Sequence, residues 1–205
     1  MSVSLQKGQK ISLKKGDGSG LKNVMVGLGW DEAQQTARGL RALFAAKPQD
    51  IDCDASVILC GQNGKIISNN IKECLVYYGN LRHSSGAVQH QGDNLTGGGE
   101  GDDEQIMVDL TKLPTSVTKL VFVVNIYDAG TRNQHFGMIK NAFIRIVDMS
   151  SRTEICRFNL TEDYSGKQGM VVGEIYKNEG EWKFNAVGQG VTNASRVDKL
   201  VEMYK

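Results

Sequence analysis

The stretch GMVVGEIYKNEGEWKFNAVG, residues 169–188, reads as two β-runs that meet at a tight turn. GMVVGEIYKN (169–178) and EWKFNAVG (181–188) carry the branched and aromatic side chains that suit a pleated surface. Between them, Asn178-Glu179-Gly180 supplies residue types that tolerate the positive φ of a hairpin turn. Trp182, Phe184 and Ala186 fall on alternate positions, as a strand with one buried face requires. The segment predicts an antiparallel hairpin.

The same pattern recurs outward along the chain. Strand candidates are VMVGLGW (24–30), DASVILC (54–60), KIIS (65–68), ECLVYYG (73–79), EQIMVDL (104–110), KLVFVVNIYD (119–128), AFIRIVD (142–148) and TEICRFNL (153–160). Asn63-Gly64 marks a second hairpin turn. No helix-length pattern separates these runs, which argues for a β-sandwich of about ten mostly antiparallel strands over a parallel α/β sheet. The 24 glycines fit a turn-rich chain, and the two prolines, Pro48 and Pro114, mark no linker. One domain over residues 1–205 is expected, with two departures from β-pattern. Residues 31–49 read as a helical or irregular insertion. Residues 195–205 place Val197, Leu200, Val201 and Tyr204 at the spacing of a short closing helix.

The net charge of +1 gives no global field toward nucleic acid, so no nucleic-acid partner is expected. MSVSLQKGQKISL lacks the apolar run of an export signal, and Leu120–Val124 is far too short to span a membrane. A cytoplasmic location is therefore expected. Cys53, Cys60, Cys74 and Cys156 show no zinc-ligand spacing, and Cys60 and Cys156 lie in strand-like runs as small core residues.

Charge is uneven along the chain. Residues 92–104, GDNLTGGGEGDDE, place five carboxylates (Asp93, Glu100, Asp102, Asp103, Glu104) within twelve residues, with no basic residue among them. Such a loop is either a solvated acidic surface or a cage for a hard divalent cation, which takes oxygen ligands. Asp93, Gly98 and Glu104 match an EF-hand loop at its first, sixth and twelfth positions. Leu95 and Gly97 fail the third and fifth, and no helices flank the segment. DIDCD (50–54) sets Asp52 and Asp54 two apart, which on a strand puts both on one face, repelling unless protonated or bridged by a cation. Asp31, directly after VMVGLGW, is a third acidic position.

Other chemistries find no support in the residues. GLGWD (27–31) lacks the third glycine of a dinucleotide fingerprint, and GGGEGDDE offers carboxylates where phosphates would sit. His83, His90 and His135 are isolated, and neither GxSxG nor HExxH occurs. The chain reads as a non-enzyme.

MVGLGWD (25–31), DASVILCGQNGK (54–65), GDNLTGGGEGDDE (92–104), VFVVNIYDA (121–129), NAFIRIVD (141–148) and GEIYKNEGEWKF (173–184), in that order, resemble the TerD family of tellurite-resistance and stress proteins. The likeness extends over roughly residues 2–191. It implies a β-sandwich with acidic loops at one end that bind calcium, typically two ions. Carried over by position, the implied ligands are Asp31, Asp52, Asp54, Asp93, Asn94, Asp102, Asp103 and Glu104, with the carbonyls of Gly97 and Gly99. Glu100 stands where the family commonly has Asp, and Tyr78-Gly79 where it has Tyr-Asn. The implied role is calcium binding in tellurite resistance or general stress response, with other stress and tellurite-resistance proteins as partners. Two alternatives are a calcium-dependent adaptor associated peripherally with the membrane, with Leu95 inserting, and a metal-dependent enzyme acting on phosphorylated small molecules.

Overall fold

The structure is a computed structural model, described here for residues 2–32, 50–92 and 101–205. The insertion expected at 31–49 therefore lies outside the described residues beyond its first two positions, which continue a strand.

Twelve strands make up two sheets among the described residues. They are β1 (Val3–Leu5), β2 (Lys10–Ser12), β3 (Asn23–Glu32), β4 (Cys53–Cys60), β5 (Leu75–Val76) and β6 (Val88–His90), followed by β7 (Glu104–Asp109), β8 (Lys119–Ile126), β9 (Ile139–Asp148), β10 (Thr153–Asn159), β11 (Gly169–Asn178) and β12 (Glu181–Val191). The first sheet runs β1-β10-β9-β3-β7-β6 and the second β2-β12-β11-β8-β4-β5. All pairings are antiparallel except β1 on β10. Short helices α1 (Ile71–Cys74), α2 (Ala129–Arg132) and α3 (Val197–Glu202) complete the fold. None of the described helices is long and apolar enough to cross a membrane.

The predicted β-sandwich is the observed architecture. The β11–β12 hairpin turns at Glu179 (φ 52°) and Gly180 (φ 83°), with Asn178 opposite Glu181. Two local expectations fail. KIIS forms only an isolated bridge from Ile66 to Cys60, and ECLVYYG is a turn of α1 followed by the two-residue β5. In the latter, Asn70 caps the helix by accepting from the Lys72 N–H, a local bond that competes with strand pairing.

The main core lies between the sheets, with Val24, Val26, Leu28, Ala55, Val57, Leu59, Ile106, Phe122, Ile144 and Phe184 all buried. The outer face of the second sheet is apolar as well. Ile58, Val121, Val123 and Val171 are covered there by Leu200 and Val201 of α3. This is the closing helix read from its spacing, and it explains why every residue of β4 is buried. Leu200 is fully buried, so Leu200→Ala is expected to destabilise the protein by about 2–5 kcal/mol, measured by urea unfolding. A loss below about 1 kcal/mol would mean that α3 is not part of the cooperative fold.

Candidate metal centre

Strand directions bring the acidic segments to one end of the sandwich. β3 ends at Glu32 beside the start of β9, and β7 begins at Glu104 against Leu28 of β3. In the other sheet, β4 begins at Cys53 opposite Ile126, the last residue of β8.

Glu104 joins the two sheets there. Its Oε2 accepts from the backbone N–H of Ala55 on β4 at 2.6 Å and lies 3.2 Å from Nε2 of His90 on β6. His90 Nδ1 accepts from the Gly92 N–H at 3.1 Å. Nε2 therefore carries the ring proton and donates toward both Glu104 and the Ala55 carbonyl, 3.2 Å away. Both side chains are buried. β5 pairs with β4 only at Val57 and Ile58, so these side chains serve Ala55 where no strand does.

Asp103 is held by the end of β3. Trp30 lies beyond Leu28, the last residue of β3 that pairs with β7, and its N–H on that side is left for a side chain; on the other side the register slips by one residue between Gly29 and Asp31, a bulge that lies in β9. The Trp30 N–H turns to Asp103 Oδ2 at 2.6 Å, and the Asp103 N–H donates to the Leu28 carbonyl at 2.8 Å. Asp103 is thereby fixed beside Asp31. Burial pushes the Asp103 carboxyl above its ordinary value, and the neighbouring Asp31 and Asp102 carboxylates push it further, against the pull of the Trp30 N–H. Asp31 itself is exposed and accepts from Asn141 Nδ2 at 2.7 Å.

Asp102 turns to the outer face of the first sheet. Its carboxylate, fully covered, takes two bonds from Arg145, Nε at 2.7 Å and Nη2 at 2.9 Å, and one from Gln105 at 3.1 Å. Arg145 also reaches Glu154, which pairs with Arg157. Gly27 lies under the Asp102 carboxylate, and a Cβ at that position would overlap it. One glycine of GLGWD thus makes room for a carboxylate, and the other, Gly29, for the Phe143 ring.

The remaining predicted positions separate. Asp52 precedes β4 and is exposed, while Asp54 is buried and lies within it. Ala55 points into the inter-sheet core, so Asp54 faces the opposite, outer side of the second sheet, 3.4 Å from Asn125 Nδ2. Asp93, Asn94, Gly97, Gly99, Glu100 and Leu95 lie outside the described residues. Among the described residues, no three His, Cys, Asp or Glu side chains form a complete metal-binding group. The sequence reading missed Arg145, His90, Asn141 and Gly27 as partners of the acidic end. Arg145 alone left a signal, as a charged residue between Ile144 and Ile146.

Burial pushes the Cys60 and Cys156 thiols up to about 12, which leaves them as inert core residues.

The family model described as the TerD domain matches residues 1–204. The chain is 50% identical over 204 residues to stress response protein SCP2 of Bacillus subtilis (strain 168), covering 100% of both proteins. It is 46% identical over 190 residues to tellurium resistance protein TerD of Serratia marcescens, covering 93% of this chain and 91% of that one. A crystal structure of a homologue of telluride resistance protein (TerD) from Streptomyces coelicolor A3(2) superposes with a TM-score of 0.65 at 19% identity, covering 91% of this chain and 99% of that one. That likeness shows the shared sandwich.

Removing the inter-sheet clasp tests its structural weight. Glu104→Ala leaves the Ala55 N–H short of an acceptor in the interior and the His90 Nε2–H with the Ala55 carbonyl alone, which is expected to cost about 1–3 kcal/mol of unfolding free energy in urea. Glu104→Gln keeps an acceptor for Ala55 and is expected to lose less. Equal losses in the two variants would show that the oxygen contact is not what matters.

Proposed function

The chain belongs to the TerD family, and from that premise we propose that it is a non-enzymatic calcium-binding protein acting in the stress and tellurite-resistance response. The observation that carries this reading is that Asp103, held by the Trp30 N–H, stands near enough to Asp31 for that carboxylate to raise its own, an arrangement whose repulsion a bound cation relieves. Asp102, in contrast, has a guanidinium, and Glu104 has backbone and imidazole donors.

Two roles follow for the acidic residues. Asp31, Asp103 and Asp52 supply side-chain oxygens, joined by Asp93, Asn94 and the carbonyls of Gly97 and Gly99 from the following loop. Asp102 and Glu104 fix the frame that aims them. Carboxylate, amide and carbonyl oxygens in a glycine-rich setting suit the large, irregular coordination sphere of calcium better than the rigid octahedron of magnesium. Bound calcium would neutralise the acidic end and tie the loop to the sandwich, giving partner proteins a surface that depends on the ion. The resistance and stress names of the relatives support the physiological setting.

Calcium that binds only the folded chain stabilises it by mass action. At about a hundredfold excess over the dissociation constant, the melting temperature is expected to rise by about 5–10 °C. Magnesium is expected to give a smaller rise, and Asp31→Asn with Asp103→Asn to remove most of the calcium effect. A full rise in the double variant would overturn the ligand assignment, and no rise in the parent chain would overturn calcium binding.

A further inference from the structure

Lys140 and Asn141 at the start of β9 line a recess of about 770 Å³ in the first sheet. β9 runs between β3 and β10, so the recess has one flank from each. Trp30 and Asp31 come from β3, and Arg157 and Asn159 from β10, continued by Leu160 and Thr161. The two flanks differ in charge. On the acidic one, Asn141 sits at φ 52°, a left-handed backbone that asparagine tolerates, and its Nδ2 donates to Asp31 Oδ2 at 2.7 Å.

The basic residues are Lys140 and Arg157. Lys140 is the register partner of Asp31, and its exposed ammonium makes no ion pair among the described residues. Arg157 lays its guanidinium 4.0 Å from the centre of the Phe143 ring, which itself packs on Gly29. Stacking of this kind fixes the guanidinium plane. Glu154 takes Nε at 3.4 Å and Nη2 at 3.1 Å, while Nη1 makes no hydrogen bond among the described residues. Glu154 also meets Arg145, which meets Asp102, so these four charges cancel. What remains at the recess is the Lys140 ammonium against the carboxylates of Asp31 and its neighbour Asp103.

From this arrangement, and resting on the calcium reading of Asp31 and Asp103, we infer that the recess over the start of β9 is a calcium-dependent binding site for a small organic phosphate. Without the metal, two carboxylates outweigh one ammonium and oppose an anion. Calcium on those carboxylates reverses the sign, so metal and anion bind with positive coupling. A phosphate monoester presents three acceptor oxygens. Arg157 offers the free edge of a planar fork and Lys140 a point charge, and Asn159 and Thr161 add an amide and a hydroxyl. Ala142, Leu160 and the Trp30 ring give the organic body an apolar wall. The volume suits a metabolite-sized ligand.

Titration calorimetry of the full chain with phenyl phosphate, in saturating calcium and again in chelator, tests this site. Saturable binding is expected in calcium and about tenfold weaker binding in chelator, with phenyl phosphate tightening calcium by the same factor. In calcium, affinity should fall about tenfold in Arg157→Ala and about threefold in Lys140→Ala, while calcium alone still binds both variants. Lys140 has no ion pair to lose, so Lys140→Ala keeps the test valid if Arg157→Ala fails to fold. If calcium binds but phenyl phosphate does not saturate, or if neither variant changes its affinity, the anion site is overturned and calcium binding stands. Equal affinity in calcium and in chelator would overturn the coupling. Phenol or benzoate binding as tightly as phenyl phosphate would overturn the choice of phosphate. Failure of calcium itself to bind would overturn both readings.

Discussion

The N–H and C=O of Ala55 leave β4 on a side where the neighbouring strand covers only Val57 and Ile58. A buried backbone pair without partners is costly, and the protein meets it with side chains from the opposite sheet. Glu104 accepts from the N–H, and His90 donates to the carbonyl. The Gly92 N–H fixes the tautomer that His90 needs for this. Through these bonds, the first residue of β7 and the last residue of β6 are locked to the beginning of β4. The acidic segments around residues 52 and 102 therefore share one end of the molecule by construction. The buried Glu104 carboxylate is thus part of the frame that joins the two sheets.

A division of labour among neighbouring acids follows from where the strand begins. β7 starts at Glu104, so strand alternation does not reach back to Asp102 and Asp103, and the three acids meet different environments. Asp102 meets Arg145 on the outer face, Asp103 meets the Trp30 N–H, and Glu104 meets the interior. Among the described residues, Asp103 stands near another carboxylate, Asp31, that an amide meets. Alternation along β4 sends Asp54 outward from that strand.

Much of the fold was legible because its long strands carry their own signals. Gly180 at positive φ, the alternation through Trp182, Phe184 and Ala186, and the apolar run of β8 each specify a strand by local chemistry. Strands of two or three residues, β1, β2, β5 and β6, have no such signal, since their order comes from the neighbours they pair with. The parallel contact of Val3–Leu5 with β10 is of this kind. At the site, the acidic residue types were legible and their partners were not. The spacing of Asp52 and Asp54 suggested one shared face, but the strand begins at Cys53, so only Asp54 obeys the alternation. Arg145 and Asp102 are 43 residues apart, and nothing in the local sequence of either announces the other.

Calcium binding at the acidic end, in a frame set by Asp102 and Glu104, is tested most directly by titration calorimetry of chelator-stripped protein with calcium, and with magnesium as the comparison. Saturable, calcium-selective binding of micromolar affinity or tighter is expected, weakening by more than about tenfold when Asp31 and Asp103 are both changed to Asn. Absence of saturable calcium binding by the parent chain, or unchanged affinity in that double variant, would contradict it.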